Sequence, residues 1–167
     1  MCVVRMRARR AAVALALAAV AFLPLPAAAI TTPFSEDVFE AVEDGLTYLR
    51  NREDGEGHWS ADGSDALIAL TFMEQRVGPD TASAHVGYDG MTDEDRALVR
   101  RIISRLVAQN KGGSYEAYHT GAFMMAASVY LSTGGPDPAD GRNVLAEIQE
   151  AVINAKNNQE VRGGFCY

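Results

Sequence analysis

Apolar residues recur every three to four positions in three separate stretches of the chain. The first stripe consists of Phe39, Val42, Leu46 and Leu49. Further stripes run through Leu98 and Ile102, and through Ile148 and Val152. This spacing is typical of an amphipathic helix that buries one face. We therefore predict three amphipathic helices.

Two more uniformly apolar segments follow the first two stripes. Residues 65–73 align with residues 121–129, and both segments are apolar on nearly every side. A Gly-Pro pair follows each segment, at Gly78-Pro79 and Gly135-Pro136, which suits the end of a helix. Because a helix that is apolar all round must be buried, we expect these two helices to form an inner layer behind the amphipathic ones.

Residues suited to helix starts precede the three amphipathic stretches. We expect Ser35 to cap the first helix, Thr92 the second and Asp137 the third. Phe34 is placed to pack on Phe39 as a hydrophobic staple. These signals support three helix starts in register with the apolar stripes.

A short motif occurs three times between the predicted helices. It reads Gln or Glu, three residues, Gly, one residue and an aromatic residue. Its copies are Glu53/Gly57/Trp59, Gln109/Gly113/Tyr115 and Gln159/Gly163/Phe165. The sequence therefore predicts an all-α chain of helical-hairpin repeats at about 36–80 and 92–137, with an incomplete third repeat at 138–167.

The motif resembles the prenyltransferase and squalene-oxidase repeat of terpenoid cyclases and protein prenyltransferases. The resemblance covers roughly residues 36–167 and implies an α/α toroid, present here as an incomplete barrel. It also implies that the Gln or Glu caps the inner helix and that the aromatic residue stacks between neighbouring helices. Since this superfamily includes cyclases, prenyltransferase β subunits and complement-like thioester domains, the resemblance implies a fold and leaves the activity open.

Three residues are candidates for catalysis by analogy with that superfamily. Squalene-hopene-type cyclases use an acidic D-x-D-D motif, and the nearest counterpart is Asp62-Gly63-Ser64-Asp65, which lacks the middle carboxylate. Asp65 at a helix start is equally well explained as a cap. His119 begins the second inner segment, but no cluster of spaced zinc ligands accompanies it. We predict no metal and no cofactor.

Two other groups of residues have both a structural and a binding interpretation. The inner segments carry methionines and aromatic residues that either form the core or line an apolar ligand pocket. These are Met73, Met124, Met125, Phe72, Phe123 and Tyr130. The intervening loop at 81–90 contains His85, Tyr88 and Asp89, and is either solvated or a recognition edge.

The first 29 residues have the pattern of a secretory signal peptide. Basic residues precede an apolar run at 11–25, and small residues favour cleavage after Ala29. An uncleaved anchor and twin-arginine export at Arg9-Arg10 are the alternatives. Beyond Ala29, 11 basic residues face 22 acidic ones, a net charge of −11 that disfavours nucleic acid and anionic lipid. Cys166 is the one cysteine left there, so no intrachain disulfide is expected.

The function predicted from these features is binding. We expect an exported, non-catalytic repeat domain that binds a protein partner or an apolar molecule. A fragment of a squalene-hopene-like cyclase is the alternative, and a structural scaffold is the third class. Because an incomplete repeat array leaves apolar faces uncovered, we also expect a fragment of a longer toroid with a tendency to self-associate through its open edge.

Overall fold

Helices account for most of the structure, which is a computed structural model describing residues 31–59, 64–109 and 117–159. The six helices are α1 (Pro33–Arg52), α2 (Ser64–Glu74), α3 (Gly87–Gly90), α4 (Asp93–Gln109), α5 (Ala117–Ser132) and α6 (Val144–Asn157). The described residues form no strand, although two isolated bridges join Arg76 to His85 and Ala139 to Arg142. The all-α prediction is therefore confirmed.

Several predicted features lie outside the described residues. They are the signal peptide, the candidate Asp62 and the motif positions Gly113, Tyr115, Gly163 and Phe165. None of the described helices is both long and apolar enough to cross a membrane.

The core lies where α2, α4 and α5 meet. α2 packs against both α4 and α5, and α6 packs on α5. The largest side chains buried here include Phe72 of α2, Ile102 and Ile103 of α4, and Tyr130 of α5. Each contributes on the order of 1.5–3 kcal/mol by leaving water. The two apolar helices therefore pack directly on each other, and the amphipathic α4 packs mainly on α2.

The two apolar helices are buried on most of their surface but not all round. Leu67 of α2 is 40% exposed, and Tyr118 and Met125 of α5 are 57% and 59% exposed. This differs from the expected complete burial because no described element covers that side of the pair. An apolar surface is left open.

The amphipathic helix α1 is attached mainly through its C-terminal half. Leu46 is fully buried and Leu49 is packed against the core, whereas Val42 is 40% exposed. Phe34, near the helix start, is 76% exposed. The predicted stripe is thus correct in position, but its N-terminal half is not covered by the rest of the described chain.

The start of α1 lies earlier than predicted. Thr32 is the N-cap, and its Oγ1 accepts a hydrogen bond from the Ser35 backbone N–H at 3.1 Å. Ser35 in turn accepts one from the Thr32 N–H at 2.8 Å, so the two residues form a capping box. The predicted Ser35 cap and Phe34 staple are therefore wrong, because both residues lie inside the helix.

The other two helix starts differ in accuracy. Thr92 caps α4 as predicted, accepting a hydrogen bond from the Asp95 N–H at 3.2 Å. α6 begins later than predicted, after Asn143. Asp137 still serves this helix, because its carboxylate accepts a hydrogen bond from the Val144 N–H at 2.8 Å.

Candidate functional site

The first copy of the motif forms a tight turn that lies against α4. Gly57 has a φ of +78°, and a Cβ at this position would lie 2.8 Å from the backbone nitrogen of Ile102. Only a residue without a side chain permits both this conformation and this approach. The motif glycine therefore allows the turn to dock on the backbone of the next amphipathic helix.

Glu53 holds the same turn in place. Its Oε1 accepts a hydrogen bond from the Gly57 N–H at 2.5 Å, and its Oε2 lies 3.1 Å from Nη2 of Arg101 in α4. The resemblance implied that residue 53 caps the inner helix. Here Glu53 caps the turn and pairs with α4.

Trp59 connects the turn to the end of α1. The side chain is 8% exposed, and its Nε1 donates a hydrogen bond to the Leu49 carbonyl at 2.9 Å. This carbonyl is in the last turn of the helix, where no further helical N–H is available to it. The motif aromatic is thus a core residue that also completes the hydrogen bonding of the helix end.

Asp65, the candidate acid, is engaged with the turn. It is 5% exposed, and its Oδ1 accepts a hydrogen bond from the Trp59 N–H at 3.2 Å. Its Oδ2 lies 3.0 Å from Nδ1 of His58 and 3.9 Å from Nε of Arg105. Both carboxylate oxygens therefore have partners, which is the arrangement of a structural carboxylate.

We predict that Asp65→Asn lowers the free energy of unfolding by about 1–2 kcal/mol. The amide keeps an acceptor for the Trp59 N–H but removes the charge beside His58 and Arg105. Urea denaturation measures this, with Asp44→Asn on the exposed side of α1 as the matched control. Equal stability of the Asp65→Asn variant and the parent would show that the charged contacts contribute nothing.

The remaining candidate, His119, lies in the first turn of α5. Its ring makes an edge contact with Tyr118, with a centroid distance of 5.6 Å. Within the three described ranges, no group of three or more His, Cys, Asp or Glu side chains is arranged to hold a metal ion.

An ion pair that the sequence analysis missed joins α1 to α4. Nε and Nη2 of Arg50 donate to the two carboxylate oxygens of Asp95 at 2.7 and 2.9 Å. The Asp95 side chain is only 5% exposed, and the guanidinium lies 5.3 Å from the ring centroid of Phe72. The hydrogen bond to Asp95 raises the pKa of Arg50 above its usual value. The two residues are 45 positions apart, and no motif links them.

The loop at 81–90 is largely exposed, but it places one aromatic side chain in the core. Tyr88 is 7% exposed, and its ring lies edge-on to Tyr130 at a centroid distance of 4.8 Å. His85 pairs with Glu74 at the end of α2. The Tyr130 hydroxyl donates to the Pro136 carbonyl at 3.1 Å, and burial raises its pKa. Neither interpretation of the loop describes Tyr88, because its ring belongs to the core.

The described surface includes two open apolar depressions that bear on binding. The inner cleft lies between α2 and α5 and measures about 580 Å³. It is lined by Leu70, Glu74, Met124, Met125, Ser128 and Val129. The α1 groove lies between the N-terminal half of α1 and the end of α2, and measures about 670 Å³. Both are shallow and open, and their walls are largely apolar.

Comparison with known proteins adds no relative from which a function could be transferred. No family model matches the chain, and no curated protein or solved structure matches it.

Proposed function

We propose that this chain is an exported α/α repeat domain of the terpenoid cyclase and prenyltransferase type that binds an apolar group in its inner cleft. The group is either an apolar molecule or an apolar segment of a protein. The observation that carries the proposal is the open, methionine-lined surface between the two most apolar helices. Unbranched Met124 and Met125 side chains adapt their shape to a ligand better than branched ones do.

The exposure of these side chains is costly unless they gain a partner. Met125 is 59% exposed, although α5 is otherwise a core helix. Burial of apolar surface stabilises a complex by about 25 cal/mol for each Å² removed from water. A ligand in the inner cleft would recover this energy, which supports binding as the role of the surface.

The contacts of Asp65 favour binding over acid catalysis. A cyclase-type acid needs a proton to donate, whereas this carboxylate accepts hydrogen bonds from the turn and lies beside Arg105. The cyclase alternative therefore has no support from Asp65. Asp62 lies outside the described residues.

Calorimetric titration with farnesol, a 15-carbon isoprenoid alcohol, tests the proposal. We expect micromolar binding with a negative heat-capacity change, the mark of apolar burial. Met125→Lys should weaken binding at least tenfold, because a charge would be desolvated beside the ligand. The control is Val77→Lys, which changes a residue that is 63% exposed and does not line the cleft. Absence of binding, or equal binding by both variants, would contradict the proposal.

A further inference from the structure

The wall of the inner cleft contains a carboxylate. Glu74 is the last residue of α2, and its side chain is 43% exposed. It is the one charged residue among the described residues that line the cleft; the others are Leu70, Met124, Met125, Ser128 and Val129. Because it belongs to the wall, this carboxylate lies beside whatever the cleft binds. The cleft therefore combines apolar contacts with a single anionic position.

His85 occupies one oxygen of this carboxylate and leaves the other accessible. Nδ1 of His85 contacts Oε2 of Glu74. The histidine is held beside the end of α2 by its neighbour, because the Val86 N–H donates to the Gln75 carbonyl at 2.8 Å. Within the three described ranges, Oε1 of Glu74 makes no hydrogen bond. An oriented carboxylate thus has one oxygen that can accept a hydrogen bond from a ligand.

Two helix ends add negative charge to the same cleft. α2 ends at Glu74, and Val129 lies in the last turn of α5, which ends at Ser132. Neither last turn contains a basic residue. The C-terminal end of a helix carries a partial negative charge of about half an elementary charge. Both helix ends therefore favour a cation or a hydrogen-bond donor over an anion.

Two basic residues close to Glu74 do not line the cleft. Arg76 lines the α1 groove instead, and its Nη1 donates to the Ser83 carbonyl at 2.7 Å. The contact of His85 with Glu74 needs only an N–H at Nδ1, which a neutral imidazole supplies, so the carboxylate keeps its charge. A ligand in the cleft therefore meets the carboxylate with no cation beside it among the described lining residues.

From these contacts, we propose that the ligand of the inner cleft is a cationic amphiphile, an apolar chain with a primary amine head. This inference rests on the proposed function and selects among its ligands. The chain packs on Met124 and Met125, and the ammonium donates to Oε1 of Glu74 and to the Ser128 hydroxyl. Such charge-assisted hydrogen bonds are stronger than those of a neutral hydroxyl head. A carboxylate or phosphate head is repelled, which disfavours fatty acids and isoprenyl phosphates.

Three ligands with the same 15-carbon chain test the inference on the whole protein. They are farnesylamine, farnesol and farnesoic acid, titrated calorimetrically at low salt and below the concentrations at which they form micelles. We expect the amine to bind at least fivefold more tightly than the alcohol, and the acid at least fivefold more weakly. Equal affinities of the three would overturn this inference and leave the proposed function intact. Absence of binding by all three would contradict both.

Glu74→Gln assigns the head-group preference to this carboxylate. The amide keeps the shape of the side chain and an acceptor oxygen, so farnesol affinity should change less than twofold while the advantage of the amine is lost. Glu94→Gln is the control, because it makes the same change in net charge at an exposed position of α4 that does not line the cleft. Loss of the amine preference in both variants would show attraction to net charge alone and would contradict the proposed site.

Ser128→Lys should reverse the preference. Ser128 is exposed on α5 and lines the cleft, so the substitution adds a cation to the wall without disturbing the core. We expect farnesoic acid to bind this variant more tightly than farnesylamine does. Circular dichroism checks that each variant is folded. An unchanged order of affinities in folded Ser128→Lys protein would refute the placement of the head group beside Glu74.

Discussion

Gly57→Ala should lower the free energy of unfolding by about 3 kcal/mol. Alanine is strained by about 1–2 kcal/mol at a left-handed φ, here +78°. The added Cβ would also lie 2.8 Å from the Ile102 nitrogen, where the neighbour is helix backbone and not a side chain that can rotate away. Either the turn or α4 must therefore move.

Gly55 provides a matched control for this prediction. It has a φ of +89° in the same turn, yet nothing lies within 4 Å of its Cβ position. Gly55→Ala should therefore cost only the conformational strain of about 1 kcal/mol. Urea denaturation of the two variants separates the cost of the backbone strain from the cost of the close approach to α4. Equal losses would show that the turn does not dock on α4 as the structure has it.

Asp95→Ala should destabilise the chain by about 3 kcal/mol, at the lower end of the range for breaking a buried ion pair. The substitution leaves the Arg50 guanidinium without its two charged hydrogen bonds, while the ring of Phe72 still covers one face. Because Arg50 is 28% exposed, part of its charge can be hydrated and the cost is reduced.

Glu94→Ala is the control for this ion pair. Glu94 is the exposed acidic neighbour of Asp95, and its removal should cost less than about 0.5 kcal/mol. Thermal unfolding followed by circular dichroism measures both variants. If they were equally stable, the Arg50–Asp95 pair would not attach α1 to α4.

Helix type and order could be predicted because they depend on local patterns. The stripe containing Phe39 and Leu46 identified α1, and Thr92 identified the start of α4. The start of α6 was misplaced because Asp137 acts on the helix from seven residues away. Local capping rules assume that the capping residue directly precedes the helix.

The contacts between elements could not be predicted in the same way. The motif singled out Gly57, but the reason for glycine is the position of the Ile102 backbone, which only the fold supplies. Arg50 and Asp95 are distant in sequence and belong to no periodic pattern. The exposure of Met125 was also missed. An apolar helix face indicates that this face can be buried, but it does not indicate which element covers it.

The central claim, that the inner cleft binds an apolar group, is tested most directly by methyl NMR of the methionines. Met124 and Met125 line the inner cleft, whereas Met73 and Met91 are buried elsewhere and serve as internal references. On titration with farnesol, the account predicts saturable shifts of the Met124 and Met125 methyl signals and little change in the Met73 and Met91 signals. Shifts of equal size at all four methionines, or none at Met124 and Met125, would contradict it.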